Sequence, residues 1–211
     1  MAETRITRLS MQGFKSFRKR VSIPFFPGLT VISGPNGSGK TNILDAVCFV
    51  LGRTSMKSLR AERLHDLIYH GSKIHAPADY AVVTIWLDNR SKIFPFEDDE
   101  ISITRKISKN GMSLFKLNGK TTTREKILEV LSAARIHPEG FNIIMQGDVN
   151  EIIEMTPEER RFIIDDISGI SQYNEKKEKA KANLERVEQK LKEVEIVISE
   201  RMQRLIELEN D

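Results

Sequence analysis

VISGPNGSGKTN, Val31 to Asn42, combines the residue types and spacing that could grip a chain of phosphates. Gly34, Pro35, Asn36, Gly37, Ser38, Gly39, Lys40 and Thr41 fit G-x-x-x-x-G-K-[ST] without a gap. Glycines at 34, 37 and 39 permit a curled backbone whose N–H groups turn inward, and a helix beginning beyond them would add the positive end of its dipole. Lys40 would reach the β- and γ-phosphates as a point charge, and the Thr41 hydroxyl would bind the magnesium that travels with them. A glycine-rich turn without a ligand is the plainer alternative, and the full motif in a strand-to-helix context argues against it.

Holding a triphosphate is not splitting it. P-loop enzymes also need a second magnesium ligand and a group that orients water, normally acids at the end of another buried strand. FIIDD, Phe162 to Asp166, has that look, and ISGISQ, Ile167 to Gln172, resembles the serine-glycine signature of ATP-binding cassette proteins. Both fall in a stretch that reads as helix. Thr156 stands as N-cap, Pro157 at the first helical position and Glu159 three residues after the cap. Glu158, Glu159, Arg160 and Arg161 directly precede the apolar run, which does not suit a central strand. On a helix Phe162, Ile163 and Ile167 share a face and Asp165 and Asp166 point to solvent, so no catalytic acid is expected in this chain. Gln146 is different: an amide after an apolar segment and before Gly147 is badly placed for a core and well placed to point into a site.

Strands and helices must present these residues. Leu29, Val31 and Ile32 read as a buried strand entering the glycines, and Ile43, Leu44, Ala46, Val47, Val50 and Leu51 as a helix leaving them, over 41–52. Alternation predicts further strands at 5–11, with Ile6, Leu9 and Met11 inward, at VSIPF, and at 80–88, 101–108 and 112–118. KNG at 109–111 reads as a hairpin turn and NGK at 118–120 as another tight reversal. A helix follows, capped by Thr123 or a neighbour, with Ile127, Leu128, Val130 and Leu131 on its buried side. In the last third Ala180, Leu184, Val187, Leu191, Val194, Ile198, Leu205 and Leu208 form a heptad seam, with Arg201 in its one polar slot. Such a seam needs a partner helix. A single amphipathic helix packed on the domain is the alternative.

The 211 residues suffice for one core domain and an appendage. No apolar run reaches membrane-spanning length and the first residues lack a signal-peptide layout, so the expectation is a cytoplasmic protein without a membrane partner. Cys48, alone of its kind, sits on the apolar part of a helix and reads as a small buried side chain. His65, His70 and His75 recur at a spacing that spreads them around a helix, so they read as ordinary histidines and not as metal ligands. The net charge of +3 divides unevenly: residues 1–75 carry a balance of +8 and residues 76–211 one of −5. A basic lobe suits nucleotide or nucleic-acid phosphates, and KSFRKR, Lys15 to Arg20, contributes to it. For Lys19 and Arg20 a solvated loop stands as an equal reading. High Glu, Lys and Ile content also points to a heat-adapted source.

Five ordered blocks carry a resemblance: MQGFKSF at 11–17, GPNGSGKTN at 34–42, SLRAERLHDLIYHG at 58–71, IMQGDV at 144–149 and MTPEERRFIIDDISGISQYNEKK at 155–177. Together they resemble the N-terminal half of the ATPase head of structural maintenance of chromosomes (SMC) proteins. The resemblance implies an α/β fold: the N-terminal lobe of an ABC-type P-loop ATPase, a mixed and antiparallel sheet around the P-loop helix, with a C-terminal coiled-coil stub. It divides the chain into a lobe at 1–155 and a helical segment at 156–211. It assigns Gly34 to Asn42 to ATP, Thr41 to Mg2+, and Gln146 to magnesium and the attacking water. Lys15 would lie beside the nucleotide, Arg60 near the phosphates in an engaged dimer, and Asp66 near the ribose or base; with Lys40, Gln146 and Arg60 form the implied catalytic set. The implied partners are a C-terminal lobe carrying the Walker B acids and signature motif, a second head in an ATP-sandwiched dimer, DNA, and accessory kleisin-type subunits. ATP binding would join the heads and hydrolysis release them, driving chromosome condensation and segregation through DNA entrapment; the chain alone would be inactive. The head lobe of the related double-strand-break repair ATPase, a nucleotide-stabilised coiled-coil assembly module, and a self-sufficient small P-loop kinase or GTPase are the rival readings.

Overall fold

The computed structural model describes residues 4–138, 143–145, 148, 153–158, 160–161, 164 and 170–209. Packing divides the chain into two units, Met1–Ile153 and Glu154–Asp211. The first is built on one six-stranded sheet: β1 (Ile6–Gln12), β2 (Val21–Pro24), β3 (Tyr80–Asp88), β4 (Glu100–Ser108), β5 (Ser113–Leu117) and β6 (Lys120–Thr122), in the order β2-β1-β3-β4-β5-β6. Every pairing is antiparallel. Two helices, α1 (Lys40–Val50) and α2 (Arg124–Ala133), and a 3-10 turn at Leu64–Leu67 complete it.

Alternation decides which face of the sheet is covered. Leu9 and Met11 of β1, Ala81, Val83, Ile85 and Leu87 of β3, and Ile101, Ile103 and Ile107 of β4 are buried in one core with the α1 residues Ala46, Val47, Cys48, Phe49 and Val50. Each large apolar side chain fully buried there contributes roughly 1.5–3 kcal/mol. The other face carries polar residues, including the Thr84–Thr104 hydroxyl pair at 2.9 Å and Arg8 stacked 3.9 Å over Trp86. The predicted inward set of β1, Ile6, Leu9 and Met11, breaks strict alternation between its first two members. A register shift between Ile6 and Arg8 against β3 absorbs the odd residue.

The β4–β5 turn uses Gly111 at φ 76, and the β5–β6 turn places Asn118 and Gly119 at φ 46 and 77. Two consecutive positive φ values are what a two-residue hairpin requires, and Asn-Gly supplies them. α2 opens as predicted: the Thr123 side chain accepts the Lys126 N–H at 3.3 Å, and Ile127, Val130 and Leu131 are buried.

One expected element is missing. Residues 29–33, predicted as a buried strand, pair with no other strand, and Leu29 and Val31 are 92% and 75% exposed. An extended segment becomes a strand only when a neighbour takes its N–H and C=O groups, and none of the six strands does so here.

The second unit is dominated by α3 (Ile170–Glu209). Before it, the Arg160 N–H donates to the Thr156 carbonyl at 3.0 Å, a helical bond that begins at the predicted N-cap. Glu159, Asp165 and Asp166 lie outside the described residues. Along α3, Leu184, Val187, Leu191, Val194 and Ile198 are all exposed.

Candidate nucleotide site

The glycine-rich loop ends where α1 begins. Gly39, at φ 92, is the residue before the first helical turn, and Gly37 stands at φ 80; both conformations suit glycine and strain other residues. Residues 34–38 are exposed, and no side chain caps the helix. The first N–H groups of α1 thus face outward at the positive end of its dipole. The Lys40 ammonium is folded back onto the loop, donating to the carbonyls of Gly34 and Pro35 at 2.7 Å each. Those are the nearest acceptors for a lysine placed to bind phosphate, and an incoming phosphate oxygen would replace them. Thr41 occupies the first turn of α1, half-buried.

A second segment packs against this loop. Gly13, at φ 63, ends β1 so tightly that a Cβ there would meet the Tyr80 carbonyl at 2.2 Å. The chain then turns through Phe14 to Phe17, anchored by Lys15 N–H to the Leu67 carbonyl at 2.8 Å and by the Phe14 ring 5.3 Å from that of Phe49. Ser16 and Phe17 come within 2.9 and 3.4 Å of the Cβ that Gly39 lacks, and the Asn42 amide donates to the Ser16 hydroxyl at 2.9 Å. The FKSF segment is therefore the wall of the phosphate loop.

Lys15 and Arg60, expected from the resemblance near the nucleotide, meet on one acid that the sequence reading missed. Asp45, the wholly buried acid of α1, accepts the Lys15 ammonium at 2.6 Å and an Arg60 N–H at 2.5 Å on its Oδ2. Lys15 also donates to the Leu59 carbonyl at 2.6 Å, and Arg60 stands 3.5 Å from the Asn42 Oδ1. A signal was available: Asp45 is an acid in the apolar run ILDAVCFV, the same anomaly that drew attention to Gln146.

Asp66 is turned onto its own backbone. Its carboxylate accepts the Arg63 N–H at 2.7 Å, and chiefly that bond, with His65 nearby, holds it below the usual carboxylate range. Gln146 lies outside the described residues. Its neighbour Met145 is buried, with its sulfur 3.7 Å from the Cys48 sulfur and its N–H donated to Asp148 at 2.7 Å. Burial pushes the Cys48 thiol up from its ordinary value, which leaves it protonated and unreactive at neutral pH.

The far end of α1 is held by two guanidinium groups. Arg105 of β4 donates to the Phe49 and Arg53 carbonyls at 3.0 and 3.1 Å and lies between the Phe49 and Phe115 rings; Arg124 of α2 donates to the Gly52 carbonyl at 2.8 Å. Cations belong at a helix C-terminus. They fix α1, and with it the phosphate loop, against sheet and α2.

Known proteins share this arrangement. The chain is 48% identical over 207 residues to the chromosome partition protein Smc of Pyrococcus furiosus, and 45% identical over 188 residues to that of Aquifex aeolicus. These alignments cover 98% and 89% of this chain but 18% and 16% of those proteins, so the chain spans less than a fifth of the length of these relatives. The crystal structure of the P. furiosus Smc head domain, with an extended coiled coil and bound to the C-terminal domain of ScpA, matches with a TM-score of 0.77 at 49% identity, over 93% of this chain and 50% of that one. A structure from work on ATP-driven dimerization and DNA-stimulated activation of SMC ATPases matches at 0.72 and 49%, over 77% of this chain and 98% of that one. The family described as the RecF/RecN/SMC N terminal domain matches residues 5–207, and with a phosphate loop walled by FKSF and a helical segment that exposes a heptad seam, the chain belongs to it.

Proposed function

We propose that this chain is the N-terminal lobe of a split ATPase head, which binds ATP with Mg2+ and hydrolyses it only when a C-terminal lobe and a second head complete the site. The observation that carries this reading is a phosphate loop that is built beside an approach segment that is not. Gly34 to Lys40 are shaped and supplied with charge, while Phe26, Leu29 and Val31 just before them are exposed apolar side chains without a strand to pair with. A contiguous exposed apolar strip marks a contact surface. Here it is where the missing lobe would supply the neighbouring strand.

The residues present fit Mg-ATP. The exposed loop N–H groups and Lys40 supply positive charge in the absence of a competing carboxylate on the loop, and the Thr41 hydroxyl is a hard oxygen donor of the kind magnesium takes. Gly34 to Asn42 would hold the triphosphate, Thr41 and Gln146 the metal, and Mg2+ would neutralise the charge that develops on phosphoryl transfer. Lys40 leaves the Gly34 and Pro35 carbonyls for phosphate oxygens; Gln146 orients water; Arg60 approaches the phosphates in the engaged dimer. The general base and second metal ligand come from the C-terminal lobe. Head engagement on ATP and release on hydrolysis would drive chromosome partition through DNA entrapment, in the cytoplasm on the nucleoid, with a kleisin-type subunit as accessory. Relatives described as ATP-dimerising, DNA-stimulated and ScpA-bound support that assignment.

The test is reconstitution. The chain alone should turn over ATP negligibly, and adding the matching C-terminal lobe should raise the rate by at least two orders of magnitude, with Lys40→Ala abolishing the gain. Steady turnover by the chain alone, independent of a partner, overturns the split-head reading.

A further inference from the structure

Two cations share one oxygen of a buried acid beside the phosphate loop, and the sharing is unequal. Asp45 is 0% exposed, its Oδ2 takes both Lys15 and Arg60, and its Oδ1 has no partner among the described residues. The Lys15 side chain is 12% exposed and has a second acceptor in the Leu59 carbonyl. The Arg60 side chain is 44% exposed, and its other contact is a long 3.5 Å approach to Asn42 of the phosphate loop. A carboxylate with no access to water must keep at least one counter-ion. Lys15 is built to be the permanent one.

We propose that Asp45 and Lys15 form a latch that positions Arg60: Lys15 neutralises the buried carboxylate, which leaves Arg60 held at the loop mouth yet free to exchange Asp45 for a nucleotide phosphate. Lys15 is then a positioning residue, not a phosphate ligand. Without it, Arg60 becomes the sole counter-ion of a buried charge and is locked onto Asp45. Lys15, Asp45 and Arg60 come from three separate segments, so the latch also ties the FKSF wall and the arginine loop to α1. The inference rests on the reading of residues 34–41 as an ATP site and on the approach of Arg60 to its phosphates.

The experiment is equilibrium binding of a fluorescent non-hydrolysable ATP analogue with Mg2+ to the full-length protein. Arg60→Met and Lys15→Met should each weaken binding about tenfold, and Asp45→Asn added to Lys15→Met should restore affinity to within about twofold, because neutralising the acid releases Arg60. A double variant as weak as Lys15→Met overturns the latch, whether because Lys15 touches the nucleotide itself or because the trio only supports the fold. Asp45→Asn alone gives a second reading should Lys15→Met fail to fold: the latch requires unchanged or tighter binding, and a loss above threefold in a variant of normal melting temperature overturns it. Lys40→Ala separates the two levels. Retained affinity in that variant removes the nucleotide-site reading, whereas lost affinity with Arg60→Met indistinguishable from wild type removes the latch alone.

Discussion

Two glycines in the loop are constrained for different reasons, and the difference can be measured. At Gly37 an added Cβ would meet nothing within 4 Å, but φ is 80, a conformation costing other residues roughly 1–2 kcal/mol. At Gly34 no positive φ applies, and the atom a Cβ would meet is the Ser38 hydroxyl at 2.9 Å, the end of a side chain that can rotate away. Gly37→Ala should therefore weaken binding of an ATP analogue about tenfold, because an exposed loop escapes the strain by turning its N–H groups off the phosphates, while Gly34→Ala should cost less than threefold. Isothermal titration on both variants checks the order; equal losses would show that crowding, not φ, governs the loop. The loop's chemistry was legible in the sequence because motif, glycines and lysine are neighbours along it. Asp45 was not, because its meaning comes from Lys15 and Arg60, which lie 30 and 15 residues away in the chain and reach it only through the fold. Asp66 shows the converse: what looked like a ligand-facing acid spends its carboxylate on the Arg63 N–H.

The element that carries the site, α1, is positioned from its C-terminal end. Burial pushes the Arg105 guanidinium down to about 10, with Arg124 nearby as the smaller cause, so it is charged at neutral pH and balanced by carbonyls and rings. Truncation would leave the Phe49 and Arg53 carbonyls buried without donors, at about 1–3 kcal/mol each. Arg105→Ala should lower unfolding free energy by about 3 kcal/mol in a urea melt. The sign of its pH dependence follows from linkage. Below pH 10 the group is protonated both folded and unfolded, so the deficit should stay flat from pH 6 to 9; stability would rise with pH only above that, where the folded state loses the proton first. A deficit that grows across pH 6 to 9 would mean a titrating partner instead. At this scale the sequence spoke unevenly. β3, β4 and α2 were readable because alternation or a cap sits within a single stretch, whereas the strand expected at 29–33 depended on a neighbour that alternation cannot reveal. β6, three residues after an Asn-Gly turn, is too short to show a period and is fixed by its register with β5.

At the scale of the molecule, two apolar surfaces wait for covering, one in each unit: Phe26 to Ile32 before the phosphate loop, and the seam of α3. Leu184, Val187, Leu191, Val194 and Ile198 are each 53–59% exposed, and the rest of that helix is mostly Glu, Lys and Arg. Their spacing keeps them on one stripe, and a heptad stripe is buried only by another helix. Covering a fully buried Leu, Val or Ile is worth roughly 1.5–3 kcal/mol, so the seam is a strong drive to associate. With no partner, the simplest relief is a second copy. The chain alone should thus dimerise with increasing concentration in sedimentation equilibrium, and Leu191→Lys with Ile198→Lys should hold it monomeric. A segment returning from the missing C-terminal part should compete with that self-association and replace the homodimer with a one-to-one complex. A wild-type chain that stays monomeric at high concentration while keeping α3 fully helical by circular dichroism would show that the stripe needs no partner, and the coiled-coil assignment would fall with it.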